Sequence, residues 1–391
     1  MRDVYIAGVG QTQFGELDRD VRQLGADAVQ AALDDAADRA SVSRDDLDVA
    51  FVGNVGGPAD RQRGIVGQVC LREAGISGIS ITNVENACSS SACAVRLAYR
   101  ELAAGLADVA IVLGVEKMTG VSTEEATGGL AAAADVARES DRGLTFPSVY
   151  AMRANAYADR HGDDDLREAL AQISVKNHRN ALDNPRAHFH REITKDDVLE
   201  SPVIADPMRL YDMCPNSDGA AAAVLVADDF GTPNNAVAIE AAVHRTGTYD
   251  QATTFGDPGK VGDVADVAYD RSGLGPDDVD LFEVHDGSTM GELLNYEALG
   301  IAAPGDGPEA ILSGRTERDG PAPVNPSGGL KARGHPVGAT GVAQIAELTW
   351  QLRGEANDRQ VPNATVGLAE NAGGALNGVG ANTTIHILRA R

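Results

Sequence analysis

A chain of 391 residues, 43% of them hydrophobic, is long enough for two or three packed domains and can bury an active site. Its 33 basic and 58 acidic residues give a formal net charge of −25, which sets nucleic acid aside as a partner, and no run reaches the ~18 consecutive apolar residues of a membrane span. Four cysteines without Cys-x-x-Cys spacing suggest neither a zinc site nor a disulfide framework.

The start, Met1 to Ala7, enters a strand-like run without the layout of an export signal, so a cytoplasmic location is expected. The acidic residues are scattered along the chain rather than gathered in a block, and they predict a solvated shell suited to a salt-rich cytosol. Val4 to Gly10 reads as a strand. From Val21, apolar residues at Leu24, Ala28, Ala32 or Leu33, and Ala36 recur at helical spacing, and Val49 to Val52 is a short buried strand. Ile79 to Val84 is a further strand, followed by Glu85-Asn86-Ala87-Cys88-Ser89-Ser90 and a buried helix.

The segment 119–216 has a different texture. Thr119 to Asp141 is rich in Ala, Gly, Thr and acidic residues, and Phe146 to His190 is helical but polar, with Arg153, Arg160, His161, Lys176, His178, Arg179, His188 and His190. It reads as an inserted lid whose basic groups face the phosphates of a nucleotide, ordinary solvated helix faces being the alternative. Beyond it, a helix around Val264 to Arg271 leads into Asp277 to Phe282, repeating the wording of Asp45 to Ala50. The chain therefore reads as two similar α/β halves, unless the likeness of two short acidic junctions is chance.

Cys88, at a strand-to-helix turn, is expected to face backbone N–H groups that lower its pKa and that would hold an oxyanion; a small buried hydrophobe is the alternative. Cys93 reads as core. Asn325 to Gly341 packs five Gly and one His into seventeen residues before an Ala-rich helix, and His335 between Gly and Pro reads as an active-site base rather than a packing residue. Glu283 to Ser288 ends a strand of the second half with His285 and Asp286. Glu370 to Gly374 reads as a Gly turn after a strand spanning Ala364 to Leu368.

In the order and spacing of these segments, together with Gly114 to Met118 and Cys214 to Ala221, the chain resembles the thiolase family over its whole length, in its archaeal and sterol-carrier-protein-type branch. The resemblance implies two duplicated βαβαβαββ halves in a five-layered αβαβα arrangement with an inserted loop domain: residues 1–118, completed by about 217–232, then the insertion at 119–216, then 233–391. It implies that Cys88 takes an acyl group from a coenzyme A thioester and that His335 accepts the thiol proton. The N–H groups of Cys88 and Gly373 would form one oxyanion hole and His285 with His335 a second, with Met118, Ser327, Gly328 and Asn371 lining the substrate. No metal and no tightly bound cofactor are expected, coenzyme A and acetyl-CoA being substrates. A homodimer or dimer of dimers is expected, with an OB-fold zinc-ribbon acyl-CoA-binding subunit as a further partner.

The family's second cysteine is missing from both places where its branches put it: Asn371 and Gly287 stand there. His285 is the motif's nearest remaining base, giving a Cys-His-His set for condensation and thiolysis of short 3-ketoacyl-CoA. A retro-aldolase on the same fold and a structural subunit with a decayed site are the alternatives; retention of Cys88 and His335 argues against the first.

Overall fold

The computed structural model describes residues 1–57, 59–162, 164–247 and 259–391. Its first half runs β1 (Val4–Gln11), α1 (Val21–Ala40), β2 (Val49–Gly53), α2 (Val66–Glu73), β3 (Ser80–Val84), α3 (Ser90–Ala103) and β4 (Val109–Glu116). The insertion follows as α4 (Thr123–Ala131), α5 (Phe146–His161), α6 (Leu166–Leu182), α7 (Lys195–Glu200) and the short hairpin β5 (Val203–Ala205) and β6 (Met208–Arg209), after which β7 (Gly219–Ala227) completes the half. The second half runs β8 (Val237–Thr246), α8 (Gly259–Ser272), β9 (Leu281–Glu283), α9 (Thr289–Ala298), α10 (Gly307–Leu312), α11 (Thr340–Arg353), β10 (Val366–Leu376) and β11 (Val379–Ala390).

The strands form one sheet in the order β3-β2-β4-β7-β1-β8-β11-β10-β9. Outward from the antiparallel β1–β8 contact at Tyr5 and Ile6, the two wings repeat one another. β7 and β11 run antiparallel to both neighbours, and β2 and β9 lie parallel to β4 and β10. Where β3 has its counterpart in the second wing, only the parallel bridge Phe282–Val324 is formed.

The repeat extends to single carboxylates. Asp48, just before β2, accepts hydrogen bonds from the Asp108 and Val109 N–H groups at the start of β4. Asp280, just before β9, does the same for Thr365 and Val366 at the start of β10. Duplicated wording thus corresponds to duplicated wiring of strand starts, which orients each β2-type strand against its β4-type neighbour.

Three apolar clusters define the layers. α1 and α2 cover one face of the first wing through Leu24, Ala28, Val29, Ala32 and Leu71. α8 and α9 cover the second through Val264, Ala268, Leu293 and Tyr296. Between the wings, Ala94, Val95 and Ala98 of α3 meet Val342, Ile345 and Leu348 of α11. Helices, one wing of the sheet, central helices, the other wing and helices make five layers, and the two central helices bring both wings' loops to one place. Among the described residues, no helix is long and apolar enough to cross a membrane.

Two expectations need correction. The segment Glu370 to Gly374 is no turn: β10 continues through it to Leu376, because Val379–Ala390 pairs with it along almost its full length, and the turn falls at Asn377 and Gly378. The polar face of the insertion is in large part turned inward. Lys176 Nζ donates to Glu292 Oε1 at 2.5 Å and to the Val324 carbonyl at 2.7 Å, His178 is buried against Phe189, and Arg179 pairs with Glu317. His188 lies against Ser217 Oγ, and His190 against the Asn184 carbonyl. Lys176 and Arg179 hold the insertion on the second half, the histidines are engaged within the insertion or at Ser217, and none of these groups is gathered to receive phosphates.

Candidate active site

The site begins with the five residues between β3 and α3. Ala87 adopts φ +48°, a left-handed conformation that costs a non-glycine residue roughly 1–2 kcal/mol. Ser90 holds it in place, its Oγ accepting from the Asn86 N–H at 2.9 Å and donating to the Ala87 carbonyl at 2.6 Å. Cys88 follows at the bend, half-buried, one residue before the helix cap.

The second component arrives from α11. A Cβ on Gly341 would lie 2.4 Å from the Ala92 N atom, so only glycine lets the first turn of α11 pack on the first turn of α3. Val342 N–H donates to Ser91 Oγ across that contact at 3.2 Å. The loop leading into α11 carries His335, whose N–H donates to Ser217 Oγ at 3.1 Å and whose Nδ1 lies 2.8 Å from Thr340 Oγ1. The Thr340 hydroxyl donates to the Pro336 carbonyl at 3.0 Å, so toward the ring it presents a lone pair. Nδ1 therefore carries the proton and Nε2 is the bare nitrogen, a tautomer assigned from this hydrogen-bond chain.

His285 comes from the end of β9. Its N–H donates to Glu370 Oε2 at 3.0 Å, which also accepts from Asn295 Nδ2 at 2.9 Å. The ring stands edge-on to His335, with centroids 5.1 Å apart and an angle of 89° between planes, and its Nδ1 is buried without a partner among the described residues. One ligand atom each of Cys88, His285 and His335 lies within 4.8 Å of the other two. Residues nearly 250 positions apart thus form one cluster, as their types and local settings anticipate. The spacing also suits a soft metal ion, but no fourth His, Cys or carboxylate ligand joins the cluster among the described residues, and structural zinc takes four.

The electrostatics differ from expectation at Cys88. The Gly374 N–H and the residue's own N–H favour the thiolate, yet burial outweighs them and pushes the thiol up to about 12. The helix N-terminus does not win because the sulfur is enclosed by protein and two carboxylates, Glu116 and Glu85, oppose it. Burial, then the neighbouring His285 and Arg333, holds His335 well below the usual histidine range. Burial also lowers His285 to about 4. Burial thus favours a neutral thiol beside neutral imidazoles.

The backbone donor found at the sulfur belongs to Gly374, the neighbour of the Gly373 named from sequence. Gly374, at φ +65°, falls between the paired residues Gly373–Asn382 and Ala375–Gly380, so its N–H is not taken by that register. Of the other residues named from sequence, Met118 is buried beside Val337 and lines a cavity of about 540 Å³ with Gly56, Arg63 and Leu130. Ser327 Oγ donates to Glu283 at 2.7 Å, and Gly328 packs on Ala181, so both brace the loop. Asn371 Nδ2 donates to Gln344 Oε1 at 2.9 Å, while its own Oδ1 is buried with no partner among the described residues. Asp286, beside His285, accepts from the Leu330 and Lys331 N–H groups and from Asn177. Thr340, Ser217, Glu370 and Gly374 were not singled out from sequence, although each lies inside a segment that was: Asn325 to Gly341, Cys214 to Ala221 and Glu370 to Gly374.

A second cavity of about 290 Å³ is almost wholly apolar, lined among others by Leu130, Ala134, Leu144, Phe146, Val149 and Ala375. Its wall thus includes the neighbours of Gly374 and Tyr150.

Comparison with known proteins gives matches along the whole chain. Residues 4–229 match the family model described as thiolase, N-terminal domain, and residues 241–389 the one described as thiolase C-terminal domain-like. An acetyl-CoA acetyltransferase of Methanothermobacter thermautotrophicus is 42% identical over 99% of both chains. Sterol carrier protein 2 of Rattus norvegicus is 36% identical over 95% of this chain and 70% of its own. Among solved structures, the Ltp2-ChsH2(DUF35) aldolase superposes with a TM-score of 0.82 at 27% identity, covering 99% of this chain and 98% of that one.

Proposed function

The chain belongs to the thiolase family, and on that premise we propose that it interconverts short 3-ketoacyl-CoA and acetyl-CoA through an acyl group carried on Cys88. The observation that carries this reading is the meeting of the Cys88, His285 and His335 ligand atoms within 4.8 Å. His335 Nε2, bare because Nδ1 is engaged by Thr340, takes the thiol proton as the sulfur attacks the keto carbon. The N–H groups of Cys88 and of Gly373 or Gly374 then face the developing alkoxide, and His285 with His335 face the thioester oxygen. The neutral resting state favours this use, since the bare Nε2 of His335 can accept the thiol proton and, once it holds that proton, donate to the thioester oxygen. The cavities beside Met118 and beside Ala375 suit a pantetheine arm and an acyl chain respectively.

Acetoacetyl-CoA thiolysis, followed at the enolate absorbance, tests the reading. Cys88→Ala is expected to lose on the order of 10³-fold or more in rate, and activity that survives this substitution removes the mechanism. The likeness to an Ltp2 aldolase keeps retro-aldol cleavage as a second reading; it predicts carbon–carbon cleavage without any acyl-enzyme, which mass spectrometry of the protein after mixing with acyl-CoA decides. We further propose a homodimer core and a zinc-ribbon OB-fold subunit as partner, the latter supported by the DUF35 component of that aldolase. Full activity of the purified chain alone would make that subunit unnecessary.

A further inference from the structure

Thiolysis needs an acid that protonates the leaving enolate carbon, and condensation needs the same group as base. Two observations bear on which group that is. His285 brings one ring nitrogen to the cluster with Cys88 and His335, and its Nδ1 is buried without a partner among the described residues; one nitrogen cannot at once donate to the enolate oxygen and exchange a proton with the carbon. Gly287, two residues on, lacks the side chain that would separate His285 from the insertion. A Cβ there would lie 3.2 Å from His285 Nε2 and 2.9 Å from the hydroxyl of Tyr150. That phenol reaches over from α5 of the insertion, and its oxygen has no hydrogen-bond partner among the described residues.

We propose that the Tyr150 hydroxyl is the acid and base at the α-carbon of the acyl-CoA, working from the position that a side chain at 287 would take. The inference rests on the reading of the chain as a thiolase. The Arg153 guanidinium lies 5.4 Å from the centre of the Tyr150 ring and is itself anchored on the Gly378 carbonyl by Nε at 3.1 Å and Nη2 at 2.8 Å. It thus fixes the ring and offsets charge on the oxygen when the proton leaves. Burial keeps the phenol protonated at rest, as an acid for the enolate requires.

In thiolysis, the Cys88 proton passes to His335 as sulfur bonds to the keto carbon. The bond between the α-carbon and the keto carbon breaks, its electron pair goes to the enolate, and the Tyr150 proton moves to the α-carbon, releasing acetyl-CoA. The incoming coenzyme A thiol returns a proton to the phenolate. Its thiolate displaces Cys88 from the acyl group, and Cys88 recovers its proton from His335. Condensation runs the same steps backward.

Deuterium exchange into the methyl group of acetyl-CoA, read by mass spectrometry alongside acetylation of Cys88, separates the steps. Tyr150→Phe removes one oxygen and is expected to slow exchange and condensation by about 10²-fold or more, while Cys88 is still acetylated within about threefold of the wild-type rate. Cys214→Ala, which removes the thiol of the residue whose backbone N–H donates to the Gly287 carbonyl at 3.2 Å, is expected to leave exchange intact. Exchange in Tyr150→Phe as fast as in the wild type, or its loss in Cys214→Ala instead, overturns the assignment while leaving the thiolase reading in place. A wild-type chain never acylated at Cys88 overturns both.

Discussion

At Cys88, two backbone N–H groups favour the thiolate and the surrounding protein opposes it. Burial prevails and holds the thiol up at about 12, so the thiolate fraction grows with every step of pH through the neutral range and beyond. Alkylation of Cys88 by iodoacetamide is therefore expected to rise close to tenfold per pH unit from about 7 to 10 with no plateau. A plateau reached below pH 8 would mean that the thiolate already dominates and that the helix terminus decides. Cys70 and Cys93, also raised by burial and packed in apolar clusters, are expected to stay unlabelled, which a peptide map checks. Residue type and turn position singled out Cys88 and His335 in the sequence, and the fold brings them together. The proton affinity was not readable, because it depends on how much protein encloses the sulfur, and that protein comes from β10, the insertion and the second half.

The α3–α11 contact does for elements what Cys88 does for residues: it converts two local patterns into one site. Both helices were evident from their small-residue runs, but their crossing depends on the absence of a side chain at position 341. Gly341→Ala forces Ala92 and the α11 turn apart, and a destabilisation of about 1–3 kcal/mol is expected from such overpacking, together with loss of thiolysis as His335 retreats from Cys88. Gly128→Ala is the control: it sits in α4 with nothing within 4 Å of the new methyl group, so it should be neutral or stabilise by up to about 1 kcal/mol. Chemical denaturation of both variants checks the pair. Equal stabilities would show that the helices tolerate separation. β10 shows where reading by element falls short. Its glycines imitate a turn, and only pairing with β11 keeps the chain extended through Gly373 and Gly374, since a lone segment cannot declare which neighbour will satisfy its backbone.

Across the whole molecule, a formal charge of −25 repels itself most strongly when salt is dilute. The Debye length falls from about 10 Å at 0.1 M to about 3 Å at 1 M, so thermal unfolding should move up by a few degrees as KCl is raised over that range. A melting temperature indifferent to salt would show that the acidic shell does not limit stability. The composition, the alternation of strands and helices, the repeated Asp-rich junctions and the glycine-flanked histidine are properties of short stretches of chain, and they sufficed for the two α/β halves and for singling out Cys88 and His335 as candidates. Asp48 and Asp280 carry that repeat down to individual hydrogen bonds. The protonation of Cys88, the Gly374 N–H at its sulfur, the inward turn of Lys176 and the approach of Tyr150 to Gly287 were decided only in three dimensions. Each arises where segments far apart in sequence exclude water from one another or complete one another's hydrogen bonds, and periodicity within a single segment carries no trace of its distant neighbour.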